Sequence, residues 1–198
     1  GVMLVDAGTA PEADKIVAAV RHLTRKPLRF LVNTSPDADK VGGNVGIIKA
    51  AGGPTGIVAV SAGRPANAGI MTIAHGNASN RMTTAIPNMA PLSGDAVPIS
   101  TFFTPKKDFY ANGEPIELLN QPGHTDGDVI VFFRGSDVIA AGDVFRTDSY
   151  PVIDTARGGS VQGELDALNK ILDITIPERN QMGGTRVIPG HGRICNES

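Results

Sequence analysis

A single cysteine, Cys195, stands among the 198 residues, which excludes an internal disulfide framework and leaves the redox compartment open. No apolar stretch approaches the ~18 residues needed to cross a bilayer, so the chain reads as soluble, without a membrane span. No basic run stands out, and eighteen Lys and Arg against twenty Asp and Glu leave a net charge of −2. Nucleic acid is therefore excluded as the expected partner. Internal repeats and low-complexity tracts are missing too. Neither an initiator Met nor a signal peptide opens the chain, since GVMLVDAG begins at once with strand-like residues. A removed leader and a piece of a longer protein both account for this start, and the second is favoured.

What is there suits one domain over residues 1–198 with a substantial buried core. Hydrophobic residues make up 41%, an ordinary globular share that argues against global disorder. VMLVD (2–6) has the pattern of a buried strand. Thr9 and Glu12 have capping-box spacing, and Ile16, Val20 and Leu23 then recur on one helical face. Pro27 stops that helix and LRFLVN (28–33) reads as the next strand, so the first thirty residues form a βαβ unit with parallel strands. Residues 44–51 suit a short helix ending at Gly52-Gly53, and GIVAV (56–60) reads as a third buried strand. Residues 61–98 are rich in Gly, Pro, Asn and Ser, with a helix expected around 67–83; so long a stretch suggests a functional loop or lid. ISTFF, FYANGEPIELLNQ with its Asn112-Gly113 turn, and DVIVFFRGSDVIAAGD read as antiparallel strands and hairpins. GELDALNKILDI (163–174) is an amphipathic helix with Leu165, Leu168, Ile171 and Leu172 expected inward. TRVIPGHG (185–192) is a final strand delivering a loop.

Four polar loops each follow an apolar strand: SPDADK (35–40), PGHTDGD (122–128), AAGDVF (140–145) and PGHG (189–192). Open α/β sheets place ligands at the carboxyl ends of strands, where these loops fall. Together with the VDAG start and the Asn33-Thr34…Gly42-Gly43-Asn44 frame, this order resembles the metallo-β-lactamase superfamily over nearly the whole chain. The resemblance implies an α/β (α+β) fold, an αββα sandwich that here lacks the N-terminal strands. It also implies two metal ions held by a His-x-His-x-Asp-His loop, a second His, a bridging Asp and a last His. Imidazole suits zinc, a carboxylate can bridge two ions, and a water between them becomes the nucleophile.

On that pattern His124, Asp143 and His191 stand at ligand positions, and Asp39 matches the aspartate of the first loop. Ser35, Asp37 and Lys40 stand where three histidines are expected. A hydroxyl is a poor neutral ligand, and an ammonium among carboxylates can replace a metal ion's charge by pairing with Asp39 and Asp143. A dinuclear zinc site is thus not expected. Two alternatives remain for the cofactor: one Zn, Mn or Fe ion held by Asp37, Asp39, His124, Asp143 and His191, or none.

The favoured expectation is a superfamily member with an altered metal site, serving binding or assembly, with a protein partner or a subunit role. The alternative is a mononuclear metal-dependent hydrolase cleaving an ester, amide or lactone of a small-molecule substrate. In that enzyme Asp39 or a metal-bound water starts the attack and Lys40 steadies the oxyanion. A weaker third alternative is metal-independent acid–base chemistry by Lys40 with Asp37. The compartment stays open; many similar hydrolases are exported.

Plainer roles account for the other candidates. His22 reads as a surface residue near a helix C-terminus, His75 as a loop or wall residue, and Cys195 as an ordinary thiol in a fraying tail. Asp37-x-Asp39 lacks the Gly and Glu of a calcium loop. Asp126 and Asp128 read as caps of the turn that follows His124. Asn33-Thr34-Ser35, Asn77-Ala78-Ser79 and Asn196-Glu197-Ser198 fit a glycosylation pattern that is frequent by chance.

Overall fold

The computed structural model describes residues 1–55, 69–84 and 90–196. Two compact units emerge, Gly1–Phe102 and Phe103–Ser198, each with its own sheet. The fold is mixed α/β with two sheets and flanking helices, as expected. The reading of 56–60 as a strand lies outside the described residues.

In the first unit β1 (Val2–Val5), β2 (Leu28–Val32), β3 (Met71–His75) and β4 (Ser100–Phe102) form a four-stranded sheet in that order, all parallel. Helix α1 (Ala13–Leu23) joins β1 to β2, which makes the βαβ unit that the sequence indicates. Its entry is set as the spacing predicts: the Glu12 carboxylate accepts from Thr9 N (2.9 Å) and from the Thr9 hydroxyl (2.7 Å). Ala13 and Val17, with Ile16 and Val20, pack on Leu28, Leu31, Ile47 and Ile48. Leu23 departs from the expected face and is exposed at the helix end. β1 is only half-buried, because it is an edge strand rather than a central one. Beyond β2 come the one-turn α2 (Ala38–Val41) and α3 (Asn44–Ala50). The helix expected around 67–83 is instead β3 followed by a shorter helix α4 (Gly76–Met82). The all-buried run MTIAH supplies a central parallel strand, which needs no alternation.

In the second unit β5 (Lys106–Ala111), β6 (Glu114–Asn120), β7 (Val129–Phe133), β8 (Val138–Arg146) and β9 (Arg186–His191) form a five-stranded sheet in sequence order. The β5–β6 hairpin turns at Asn112-Gly113, both at positive φ (55° and 89°), which is why Asn-Gly suits it. β7 and β8 extend the meander, and β9 returns parallel to β8 after the helix α5 (Val161–Ile174). ISTFF does not join this meander: it supplies β4, paired parallel with β3 in the other sheet. The buried face of α5 is Glu164, Ala167 and Ile171, packed through its apolar members on Leu119, Ile130, Ile139, Val144 and Val187. Leu168 is partly buried, whereas Leu165 and Leu172, expected inward, are 51% and 59% exposed. The helix is turned so that a glutamate points inward in place of two leucines.

Candidate functional site

The first unit presents the loop between β2 and α3. Its frame is a set of buried polar pairs. Asn33 Nδ2 donates to Asn44 Oδ1 (3.1 Å) and Asn44 Nδ2 returns the bond to Asn33 Oδ1 (2.9 Å). Both amides are fully buried, and Asn44 also donates to Ala96 O. The Asp6 carboxylate accepts from Thr34 N (2.8 Å) and the Thr34 hydroxyl (2.7 Å). Ala7 N donates to Lys40 O and Gly43 N to Gly8 O, so the VDAG segment clasps the loop from below. A Cβ on Gly43 would stand 2.1 Å from Ala7 O, so this close approach requires glycine.

Inside that frame Ser35 engages Asp37, and Lys40 engages Asp39. The Ser35 hydroxyl donates to Asp37 Oδ2 (2.9 Å) and accepts from Asp37 N (3.3 Å). Lys40, 3% exposed, directs its ammonium onto Asp39 Oδ2 in a hydrogen-bonded ion pair. His75 accepts from Asn77 N at the start of α4 and packs edge-on against Phe102, its ring centroid 5.2 Å away. His75 thus ends the buried strand β3 rather than lying in a loop.

The second unit presents His124, Asp143 and His191. Residues 122–128 are held from two directions. Asp128 accepts from Thr125 N (2.7 Å), the Thr125 hydroxyl (2.6 Å) and Gly123 N (3.4 Å), the capping role expected of it. The segment leading into α5 grips the other side: Asp154 N donates to His124 O, Ser160 N to Gly123 O and Asp126 N to Arg157 O. His124 Nδ1 lies 2.6 Å from Val152 O. A carbonyl can only accept, so Nδ1 carries a proton, and Nε2 is the nitrogen left to ligate when the ring is neutral. This is the arrangement that orients metal-ligating histidines. Asp143 on β8 and His191 at the end of β9 meet with Nε2 3.2 Å from Oδ1, brought together by the parallel β8–β9 pairing.

Glu164 went unread in the sequence. It is 4% exposed, and neither carboxylate oxygen has a hydrogen-bond partner. Burial, then the nearby Asp128 carboxylate, pushes its carboxyl up to about 7. Burial likewise pushes Asp128 up to about 7, against the pull of its Thr125 hydrogen bonds. The 164–167–171 spacing contained this signal, masked by the leucines one position on. Cys195 is no frayed residue: it exchanges both backbone hydrogen bonds with Val187, and burial raises its thiol pKa. His22 is exposed, as expected.

The sequence profile of the metallo-beta-lactamase superfamily matches residues 1–191. Solved structures share the fold at low identity. A metallo-beta-lactamase from Pontibacter korlensis aligns with TM-score 0.69 and 16% identity, over 100% of this chain and 77% of its own. The B3 metallo-beta-lactamase BLEG-1 aligns with TM-score 0.72 and 20% identity, over 98% of this chain and 83% of its own. TTHA1623 in a di-iron-bound form gives 0.63 and 18%, over 98% and 83%. A search of curated proteins returned no match. The chain belongs to the metallo-beta-lactamase superfamily. Each unit carries residue types able to ligate a divalent metal, and among the described residues no helix is long and apolar enough to cross a membrane.

Proposed function

We propose that in this chain Lys40 supplies the positive charge that a metal ion supplies elsewhere in the superfamily, and that the protein serves binding or assembly rather than hydrolysis. The observation that carries this reading is the buried Lys40 ammonium on the Asp39 carboxylate. An ammonium at 3% exposure is stabilised by its ion pair with Asp39, and an ion taking Asp39 would compete with that pair. Ser35 and Asp37 bond to each other where two imidazoles are expected, and a serine hydroxyl is a poor zinc ligand. The first-loop donor set does not fit a two-metal centre, and no two-metal step is derived.

Restoration tests this. The combined variant Ser35→His, Asp37→His and Lys40→His is expected to fold on the intact Asn33–Asn44 frame and to take up zinc that the parent does not. A folded variant that binds no zinc would show that these three positions are not ligand positions.

A second reading is favoured by two observations, the orientation of His124 by Val152 O and the Asp143–His191 contact. On the superfamily's pattern Asp37, Asp39, His124, Asp143 and His191 would hold a single Zn, Mn or Fe ion. The ion would supply Lewis acidity toward an ester, amide or lactone carbonyl. Lys40 would donate to the developing oxyanion, and Asp39 would accept a proton from the attacking water. Bound metal that disappears in Asp143→Ala, with hydrolysis lost alongside it, would favour this reading over the first.

A further inference from the structure

Charge is near balance over the whole chain but not within it. Residues 1–102 carry nine Lys and Arg against six Asp and Glu, and residues 103–198 carry nine against fourteen. Between Asp14 and Asp37 no acid occurs, while Lys15, Arg21, Arg25, Lys26 and Arg29 fall there. Three of these cations line one hollow of about 430 Å³ at the amino end of β2, the opposite end of that strand from the loop 33–40. Its floor is apolar: Val17 and Val20 of α1, Leu28 at the start of β2, and Ala51 after α3. Its rim is Arg21, Arg25 and Lys26, all exposed, and no Asp or Glu lines it. None of the three has an ion-pair partner among the described residues. The Thr24 hydroxyl, also on the lining, accepts from Lys26 N (3.2 Å) and keeps its own proton to donate. The helix dipole accounts for Arg21 in the last turn of α1. Arg25 and Lys26 lie beyond the C-cap Thr24, where that account ends.

We propose that this hollow binds a small organic phosphate, a monoester whose oxygens meet Arg21, Arg25 and Lys26 and whose apolar body rests on Val17, Leu28 and Ala51. The volume is that of a small-molecule site, apolar with a few convergent polar groups. Guanidinium forks pair with phosphate oxygens two at a time. Three cations without acidic partners suit more than one negative charge, and a phosphate monoester carries about 1.5 to 2 at pH 7. No aromatic side chain lines the hollow, so it lacks the stacking platform that single-stranded nucleic acid takes. The inference stands on α1, β2 and α3 alone and holds under either reading of the metal-ligand residues.

NMR of the whole chain titrated with naphthyl phosphate, naphthol and inorganic phosphate tests it. The expected result is resonance shifts at Val17, Thr24, Leu28 and Ala51 with naphthyl phosphate, at a dissociation constant on the order of 0.5 mM. Naphthol and inorganic phosphate each bind at least ~10-fold more weakly, and salt at about 0.5 M weakens the ester. Arg21→Ser and Arg25→Ser each weaken it about 3- to 5-fold. Both side chains are exposed, so these variants keep the fold, which circular dichroism checks. No shifts in the hollow up to about 5 mM ester would overturn the proposal, as would binding indifferent to the two arginine substitutions combined. Inorganic phosphate binding as tightly as the ester would overturn the organic ligand. Shifts confined to residues 122–128 would place the ester at the metal-ligand residues instead and overturn this site. Vesicles containing phosphatidic acid carry the same phosphate monoester on a lipid. Their capture of the chain in sedimentation, without binding of naphthyl phosphate, would overturn the small-molecule site in favour of a lipid surface.

Discussion

Keeping an ammonium out of water is costly, and Lys40 does so with Asp39 as its ion-pair partner. Removing one member of a fully buried pair costs about 3–5 kcal/mol because the other charge is stranded. The Asp39 side chain is 38% exposed, so solvent screening reduces that figure. Asp39→Asn is expected to destabilise the protein by about 1–3 kcal/mol in urea unfolding. Lys40→Met removes the buried charge itself, and Asp39 is 38% exposed to water, so its cost is expected to be smaller than that of Asp39→Asn. Equal losses for the two variants would contradict the assignment of Lys40 as the buried charge that needs its partner.

Glu164 makes the opposite kind of statement, a carboxyl buried without a donor. Its pKa is raised from the ordinary 4.5 to about 7, so between these values the folded chain holds a proton that the unfolded chain has released. Folding stability therefore falls as pH rises through that window and is level above it. Each such proton contributes a slope of about 1.4 kcal/mol per pH unit at most. Asp128, raised from 3.8 to about 7, acts in the same direction. Glu164→Gln is expected to be at least as stable as the parent at pH 8 and to lose roughly half the slope between pH 5 and 7. Unchanged pH dependence of thermal unfolding would show that Glu164 is ionised in the folded protein.

At the scale of elements, α5 shows how packing can reverse a propensity. Gly→Ala inside a helix ordinarily gains about 1 kcal/mol. At Gly163 the added Cβ would stand 1.7 Å from Pro122 O, a collision with the backbone next to the His124 turn. Gly163→Ala is expected to cost more than ~2 kcal/mol and to shift the His124 ring resonances in NMR; a stabilised variant would contradict this contact. The same helix shows where the sequence misleads. Its three leucines outnumber the two apolar residues of the buried face, so periodicity alone selects Leu165 and Leu172, and the tertiary contacts of Ala167 and Ile171 decide otherwise. β4 likewise reads as antiparallel in the sequence but pairs parallel with β3, because a three-residue strand followed by hairpins carries no signal of its partner. The capping box, the parallel β1–β2 pair and the Asn112-Gly113 hairpin were legible because each is fixed by residues close in sequence.

For the whole molecule, the superfamily was legible in short loop motifs, and the structure explains why they persist. Asp6, Asn33, Thr34, Gly43 and Asn44 lock the first loop to the VDAG segment through backbone and amide bonds that need no metal. Asn44→Ala would leave Asn33 without its reciprocal partner in a fully buried setting. It is expected to cost about 1–3 kcal/mol and to loosen the loop to proteolysis; a fully stable variant would mean that the frame is held elsewhere. Glu164 and the Val152 carbonyl on His124 were not legible, since neither belongs to a motif and both act through contacts made only on folding. The bonds of this frame do not involve the side chains of Ser35, Asp37 and Lys40 that lie between its posts.

The most direct test of Lys40 as the resident cation is calorimetric titration of the chain with zinc after purification without chelator. With Lys40 as the resident cation, the chain is expected to carry no metal on isolation and to take up no more than about 0.1 equivalent on titration. Uptake of about one equivalent, abolished in Asp143→Ala, would contradict it.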